Sequence, residues 1–531
     1  MHAPMRVDAN DEVARPLDAP ADRDLSPGGE RSCGSAGHAR RRLPPPGVLV
    51  ALLAGGQIAA WTLTPVLTHS SPPLDVVEGY MWGREWVLAT YKHPALPSWA
   101  LEASRLVTGA TGLPAYLLSQ ACIAATYLFV YLLGRELIGP ARAAAGTLAL
   151  TGIAFYAWPT VEFNHNVAET PIWAALAWAL WHAVKRQATS WWLLLGALAA
   201  LSMYAKFASA LLLLTIAAWL LWDQGARRRL YSRGPWLGFA TFAVLLAPLV
   251  HWLWANDFAP LHYAAQRAVR VQGLAPHYFL FIVNVVLNLV GMPAILYMAG
   301  LLGPLRRTVA ADPADAPVDA AVPYLAALTL GPFAVALLGA LISGAGLKTA
   351  WSSSMFNLAG LLGVALNWRR FDPRVLERIA GYAATLLVVV PIAYGLIVAF
   401  ALERQGLHMR VSWPQAEISR RMTAIWTSET GRPLRIVAGS DWIAGLVGIS
   451  APDRPSLLSK GDRALSPWIS AERLRREGML IVWDAGSPRV PQALSKIVAE
   501  RAGLPEREEH FTWPGLEGGD LAIGYVIVAP Q

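Results

Sequence analysis

Cysteine, lysine and charge are all in short supply in this 531-residue chain. There are two cysteines, Cys33 in a polar stretch and Cys122 in an apolar run, which excludes a disulfide framework and a cysteine-based metal site. Charged residues make up 15% and hydrophobic ones 55%, against about 25% and about 45–50% in soluble domains. That balance, with a mean hydropathy of +0.39, excludes a soluble enzyme, a disordered protein and a fibrous one. Internal repeats and low-complexity arrays are lacking too. What is present instead is a series of apolar runs from Gly47 to Phe400. Each has about 20 residues, enough for a hydrocarbon core of roughly 30 Å. The chain reads as a mainly α, polytopic membrane protein.

The net charge of +8 comes from arginine clusters placed between the apolar runs. They are Arg40-Arg41-Arg42, Arg227-Arg228-Arg229, Arg306-Arg307 and Arg369-Arg370. This is the positive-inside pattern of cytoplasmic loops. No basic stripe interleaved with aromatics suggests nucleic acid. Residues 1–45 lack periodicity and read as a disordered cytoplasmic tail. The run from Gly47 is too long for a signal-peptide core and reads as an uncleaved first span. Further spans are expected near Leu113, Ala141, Pro171, Trp191, Phe207, Trp236, Tyr278, Val322, Phe356 and Tyr382. About eleven spans across residues 46–402 put residues 403–531 outside. In that tail, β-branched runs such as Arg435–Gly439, Met479–Trp483 and Ile523–Val528 alternate with helix-like stretches. They predict a small extracytoplasmic α/β domain.

Polar groups at the outer ends of spans are costly to keep there and therefore informative. The long first external loop, 68–107, carries Asp75, Glu78, Trp82-Gly83-Arg84-Glu85 and Tyr91-Lys92-His93-Pro94. A partly buried carboxylate there can serve as a general base, and a nearby Lys or His can neutralise a phosphate. The plainer reading is a solvated loop whose acids pair with Arg84. A second external segment, Trp158 to Glu169, contains Glu162, Asn164-His165-Asn166 and Glu169 just ahead of an apolar helix. Asn166 or Glu169 capping that helix is the plainer alternative. Of six lysines, Lys92, Lys206 and Lys348 all fall at outer boundaries. An ammonium there suits a lipid phosphate, although snorkelling accounts for each one singly.

The stretch Asp75 to Trp99 resembles the first external loop of GT-C glycosyltransferases. It is most similar to the bacterial branch related to protein O-mannosyltransferases and to the aminoarabinose and galacturonic acid transferases of lipid A. Asn164-His165-Asn166 with Pro171 and Trp173, then Ala205-Lys206-Phe207, then Trp254 to Pro260, resemble that branch's later landmarks in order. The resemblance covers about residues 47–400 and implies a polyprenyl-phosphate sugar donor with chemistry at the outer membrane face. By this likeness Asp75 matches the leading acid of an Asp-Glu pair. Val76 replaces the Glu, so Asp75 and Glu78 both stand as the catalytic base. Glu169, Asn166 and Asn164 match the second acidic, acceptor-side position. Lys92, His93 and Lys206 would hold the donor phosphate, with Lys348 and Arg270 as further candidates.

The implied reaction is inverting transfer of a hexosyl or pentosyl group to an extracytoplasmic hydroxyl, on lipid A, lipopolysaccharide or another envelope glycan. The implied setting is the bacterial inner membrane. No cofactor and no metal are called for, since no compact ligand cluster is present; Glu169 is left to orient the acceptor or a divalent ion. The rival class is a transporter or lipid flippase, marked by broken helices and mid-span charges. A receptor or scaffold presenting the tail would need no outer acidic loop.

Overall fold

The computed structural model describes residues 43–186, 188–267, 274–302, 316–401, 409–486, 494–495, 504–514 and 520–531. Residues 1–42, Arg270, Arg306-Arg307 and the expected junction at 402–403 lie outside them. The membrane region runs through α1 (Pro46–Thr68), α2 (Leu74–Gly83), α3 (Leu96–Thr108), α4 (Gly112–Leu137), α5 (Pro140–Ala149) and α6 (His165–Arg186). It continues with α7 (Thr189–Ala205), α8 (Ala210–Trp222), α9 (Gln224–Arg229), α10 (Arg233–Ala255) and α11 (Ala259–Arg267). It ends with α12 (Leu274–Leu289), α13 (Gly291–Met298), α14 (Ala316–Ser343), α15 (Ala359–Leu366) and α16 (Pro373–Leu396).

Each expected span coincides with an apolar helix, but the helices are unequal. Among the described residues, α1, α4, α10, α14 and α16 are long and apolar enough to cross a membrane alone. α12 and α13, bent by 42°, make a sixth as a pair. α5 and α15 have 10 and 8 residues, too few to span at about 1.5 Å per residue.

α5 instead runs into a chain of 3₁₀ turns between Leu150 and Val161. Irregular backbone is tolerated at such a place only if its polar groups find partners inside the protein. They do: Gln57 on α1 donates to the Tyr156 carbonyl (3.1 Å), and Gln120 on α4 donates to the Thr160 carbonyl (3.0 Å). Pro171 interrupts the ladder of α6, and the Thr170 hydroxyl donates to the Val167 carbonyl that the proline leaves without a partner (2.8 Å).

Small residues let the helices close on one another, the usual device in apolar surroundings. A Cβ on Gly196 of α7 would lie 2.1 Å from the carbonyl oxygen of Gly238 on α10. A Cβ on Gly360 of α15 would lie 2.0 Å from that of Gly146 on α5.

The bundle has two chemically different ends. At one, Arg186 pairs with Glu136 (3.6 Å), Arg229 donates to the Val184 carbonyl (3.0 Å) and Arg369 pairs with Asp319 (3.5 Å). Arg142 covers the Trp368 ring there as well (5.4 Å). At the other, His69 sits between the hydroxyls of Tyr116 and Tyr394, 2.9 Å from each, tying the ends of α1, α4 and α16 together.

The second end carries the expected α/β domain: α17 (Gln415–Thr430), β1 (Ile436–Gly439), α18 (Ile443–Gly448), β2 (Ser456–Ser459), α19 (Ala471–Glu477), β3 (Met479–Asp484), β4 (Arg507–Thr512) and β5 (Asp520–Val528). Strand order is β2-β1-β3-β5-β4, parallel across the first three and antiparallel thereafter. Ile436, Ala438, Leu458, Ile481, Val526 and Val528 form its core. The domain rests directly on α2: a Cβ on Gly445 would lie 2.5 Å from Val77, and one on Gly448 would lie 2.4 Å from Met81. Arg84 donates to the carbonyls of Gly448 (3.2 Å) and Pro455, and Arg454 pairs with the fully buried Glu102 of α3.

Candidate active site

The segment 68–107, expected as a loop, contains α2 and α3. Pro72 and Pro73 separate α1 from α2 and leave Asp75 in the first turn of α2, where the helix N-terminus favours a carboxylate. The Asp75 backbone N–H donates to Glu162 Oε1 (2.8 Å), and Asn164 Nδ2 donates to Asp75 Oδ2 (3.0 Å). Burial pushes the Asp75 carboxyl up; Asn164, Lys92, Arg410 and Arg267 pull it back. Burial also lifts Glu162 to about 7, with the Asp75 charge adding to it.

Asn164 has a second task. Its Oδ1 accepts from the backbone N–H groups of Asn166 (2.9 Å) and Val167 (3.2 Å), so Asn164 caps α6. The cap expected of Asn166 or Glu169 therefore falls to their neighbour. Both of those residues instead face Lys206, whose ammonium donates to Asn166 Oδ1 (2.7 Å) and Glu169 Oε1 (2.8 Å). Glu169 is completely buried and also accepts from the hydroxyls of Ser209 (3.2 Å) and Ser354 (2.7 Å). Lys206 can reach it because α7 stops at Ala205 and the chain is extended at Lys206 before α8.

Lys92 stands at the tip of a tight turn closed by the Ala89–Pro94 bridge and by the Thr90 N–H donating to the His93 carbonyl (2.9 Å). Its ammonium donates to Glu78 Oε1 (2.6 Å) and to Asp441 Oδ2 (3.0 Å). Burial works against the ammonium, but Glu78 and Asp441 together outweigh it and hold its pKa above the usual lysine value. For Glu78 burial pushes the pKa up, aided by Asp441 and Asp75 and opposed by Lys92.

His93 stacks on His165 with ring centroids 4.0 Å apart, and His165 meets the Pro94 carbonyl (3.0 Å). Burial, then the neighbouring His165, Lys92, Lys206 and Arg267, push the His93 pKa well down. It is a neutral ring at physiological pH, able to offer a hydrogen bond but not a charge. Arg267 lies over Tyr263 (5.6 Å), and its charge also reaches Lys348. Among the described residues, no carboxylate lies within ion-pair distance of Arg267, Lys348 or Arg410.

The carboxylates and lysines from separate segments at this end of the bundle thus meet in one place. Asp75 reaches Asn164, the backbone next to Asn164 carries Asn166, and Asn166 holds Lys206. Asp441, Arg267 and Arg410 were not singled out from the sequence, and Glu162 was given no role there. One signal was available for Asp441: an acid two residues beyond the predicted strand ending at Gly439. Among the described residues, no group of three His, Cys, Asp or Glu is arranged to hold a metal ion.

This bundle with its capping α/β domain has the GT-C architecture that the loop motifs implied, the fold it shares with two structures of ArnT. The protein is a multi-pass membrane protein with that fold. Residues 92–252 match the family model of dolichyl-phosphate-mannose-protein mannosyltransferase. The fold is similar to ArnT from Cupriavidus metallidurans in a crystal structure bound to undecaprenyl phosphate. That match has a TM-score of 0.59 at 14% identity, covering 90% of this chain and 97% of that one. It is similar to the same protein in the apo state, with a TM-score of 0.57 at 12% identity, covering 90% and 98%. No curated protein matches the chain in sequence.

Proposed function

We propose that this chain transfers a hexosyl or pentosyl group from a polyprenyl-phosphate donor to an acceptor hydroxyl at the outer face of the bacterial inner membrane. The acceptor class is lipid A, lipopolysaccharide or another envelope glycan, the N-terminus is cytoplasmic and the α/β domain periplasmic. The observation that carries this reading is a partly buried Asp75 carboxyl held by Asn164 within the field of Lys92, Arg267 and Arg410. The undecaprenyl phosphate bound by ArnT, a protein of the same fold, supports the donor class.

In this reading Asp75 is the base. It accepts the proton of the acceptor hydroxyl as that oxygen attacks the anomeric carbon, and the polyprenyl phosphate departs from the opposite side with inversion. A buried carboxylate with a raised pKa takes a proton more readily at neutral pH than an exposed one. Glu78 is the weaker alternative, because its Oε1 is already occupied by the Lys92 ammonium at 2.6 Å. Lys206 is similarly engaged by Glu169, so it and Lys92 act on the leaving phosphate through pockets they share with carboxylates. Arg267 and Lys348 have no such partner among the described residues and are the stronger phosphate-holding candidates. His93 contributes a neutral hydrogen bond. Glu169, Asn166 and Asn164 shape the acceptor side.

Mass analysis of envelope lipids and glycans from a deletion strain tests the proposal. One sugar substituent should disappear, return with the wild-type chain, and stay absent with Asp75→Asn expressed at the same level. An envelope unchanged by the deletion would remove the assignment.

A further inference from the structure

The Lys92 ammonium has two carboxylate partners, and they come from opposite parts of the chain. Glu78 lies on α2, 14 residues away, whereas Asp441 is 349 residues distant and belongs to the α/β domain. Asp441 is 5% exposed and its Oδ2 also accepts from the Tyr91 hydroxyl at 2.7 Å. One carboxylate oxygen therefore grips two consecutive residues of the turn that presents Lys92.

The place of Asp441 in its own domain follows from the sheet. The chain goes from β1 out to β2 on one side, then returns to β3 on the other side of β1. The ends of β1 and β3 flank the point where the winding direction reverses, which opens a crevice at the carboxyl ends of parallel strands. Asp441 lies in the connection directly after β1. Lys460, just beyond β2, extends from the same edge to the Tyr91 ring (5.8 Å). The edge that binds small ligands in free-standing sheets of this kind is here turned onto the Tyr91–Lys92 turn. Gly445 and Gly448 let the domain close on Val77 and Met81 of α2, beside that turn.

We propose that Asp441 is a positioning residue: the α/β domain uses it to hold the Lys92 ammonium against Glu78, making the domain a working part of the membrane site. Glu78 alone leaves the ammonium on a flexible four-carbon stem. Two acceptors from separate parts of the chain, with Tyr91 tied to the Asp441 oxygen, leave it one location. The inference rests on the functional reading only for what Lys92 then does to a phosphate; the linkage itself stands without it.

The full chain has six lysines, so selective 13C labelling at Cε followed by NMR of the detergent-solubilised protein resolves them individually. The groups facing Lys92 are Glu78 and Asp75 from α2, Asp441 from the α/β domain, His165 from α6, and Tyr91 and His93 from its own turn. In Asp441→Asn the Lys92 signal should move and its titration midpoint should fall. The Lys206 signal, held by Glu169, should stay in place, and Asp441→Glu should restore Lys92 toward wild type. An unmoved Lys92 signal overturns the proposal, as does a joint shift of Lys92 and Lys206, which marks a general structural role. Undecaprenyl phosphate binding, read by tryptophan fluorescence, is the second arm, with a Kd expected to differ from wild type in Asp441→Asn and to return toward it in Asp441→Glu. Unchanged binding alongside a moved Lys92 signal leaves the Asp441 linkage standing and removes the phosphate role of Lys92.

Discussion

Asn164 donates from Nδ2 to Asp75 Oδ2 at 3.0 Å while its Oδ1 caps the helix that carries Glu169. One amide thus joins the base candidate to the acceptor-side segment. Asp75→Asn should lower transfer by roughly 10²–10⁴-fold, the usual worth of a general base, with expression and folding retained. In Asn164→Ala the hydrogen bond that lowers the Asp75 pKa is lost. The acid limb of the pH–rate profile, already above the ordinary carboxylate range, should then move to higher pH. The same variant should lose about 1 kcal/mol of stability through the missing cap.

Glu162 gives a stability signature with a definite sign. Its pKa is about 7 in the folded protein against an ordinary 4.5. A raised carboxyl pKa means that its contribution is fully present below the unfolded value and is lost as pH rises through the folded one. Glu162→Gln should therefore melt with the wild type near pH 4 and at a higher temperature than it at pH 8. Its amide oxygen can still accept the Asp75 N–H. Equal melting temperatures at both pH values would contradict a Glu162 whose pKa rises on folding.

Lys206 and Glu169 form a pair that is 7% and 0% exposed. Breaking such a pair from one side leaves an uncompensated charge and costs roughly 3–5 kcal/mol. Lys206→Met should therefore be strongly destabilising in thermal unfolding of the purified protein. Lys206→Met with Glu169→Gln should recover much of that loss, because no buried charge remains. Recovery of stability without recovery of transfer would separate a site role from a packing role.

The Gly196–Gly238 crossing has no room for a side chain, since a Cβ on Gly196 would lie 2.1 Å from a backbone oxygen. Gly196→Val should force α7 and α10 apart and cost about 1–3 kcal/mol, as overpacking does. Gly55 on α1 has nothing within 4 Å of a built Cβ, and Gly55→Ala should leave the melting temperature within about a degree.

Much of the site was legible because its lysines are few and its acids sit between apolar runs, where a charge stands out. Asp75, Glu78, Lys92, Asn164, Asn166, Glu169 and Lys206 all occupy this one end of the bundle. Less legible was how they pair. Lys92 and Lys206 read from the sequence as phosphate ligands, yet each ammonium is engaged by carboxylates. His93 reads as a cation, yet burial holds it neutral. Glu162, close to Asn164 in sequence, passed as an ordinary loop acid because only the approach of the α2 backbone gives it a partner.

Hydropathy and charge by themselves determined the membrane class, the order of the helices and the α/β character of the tail. These depend on local composition and on the side of the membrane to which arginine is confined. How the chain continues after the short apolar helix α5 was decided in three dimensions, by Gln57 and Gln120 satisfying carbonyls far away in sequence. The joining of Asp441 to Lys92 was decided there too. A contact between residues 349 positions apart depends on how one folded domain docks on another, and no local pattern encodes that.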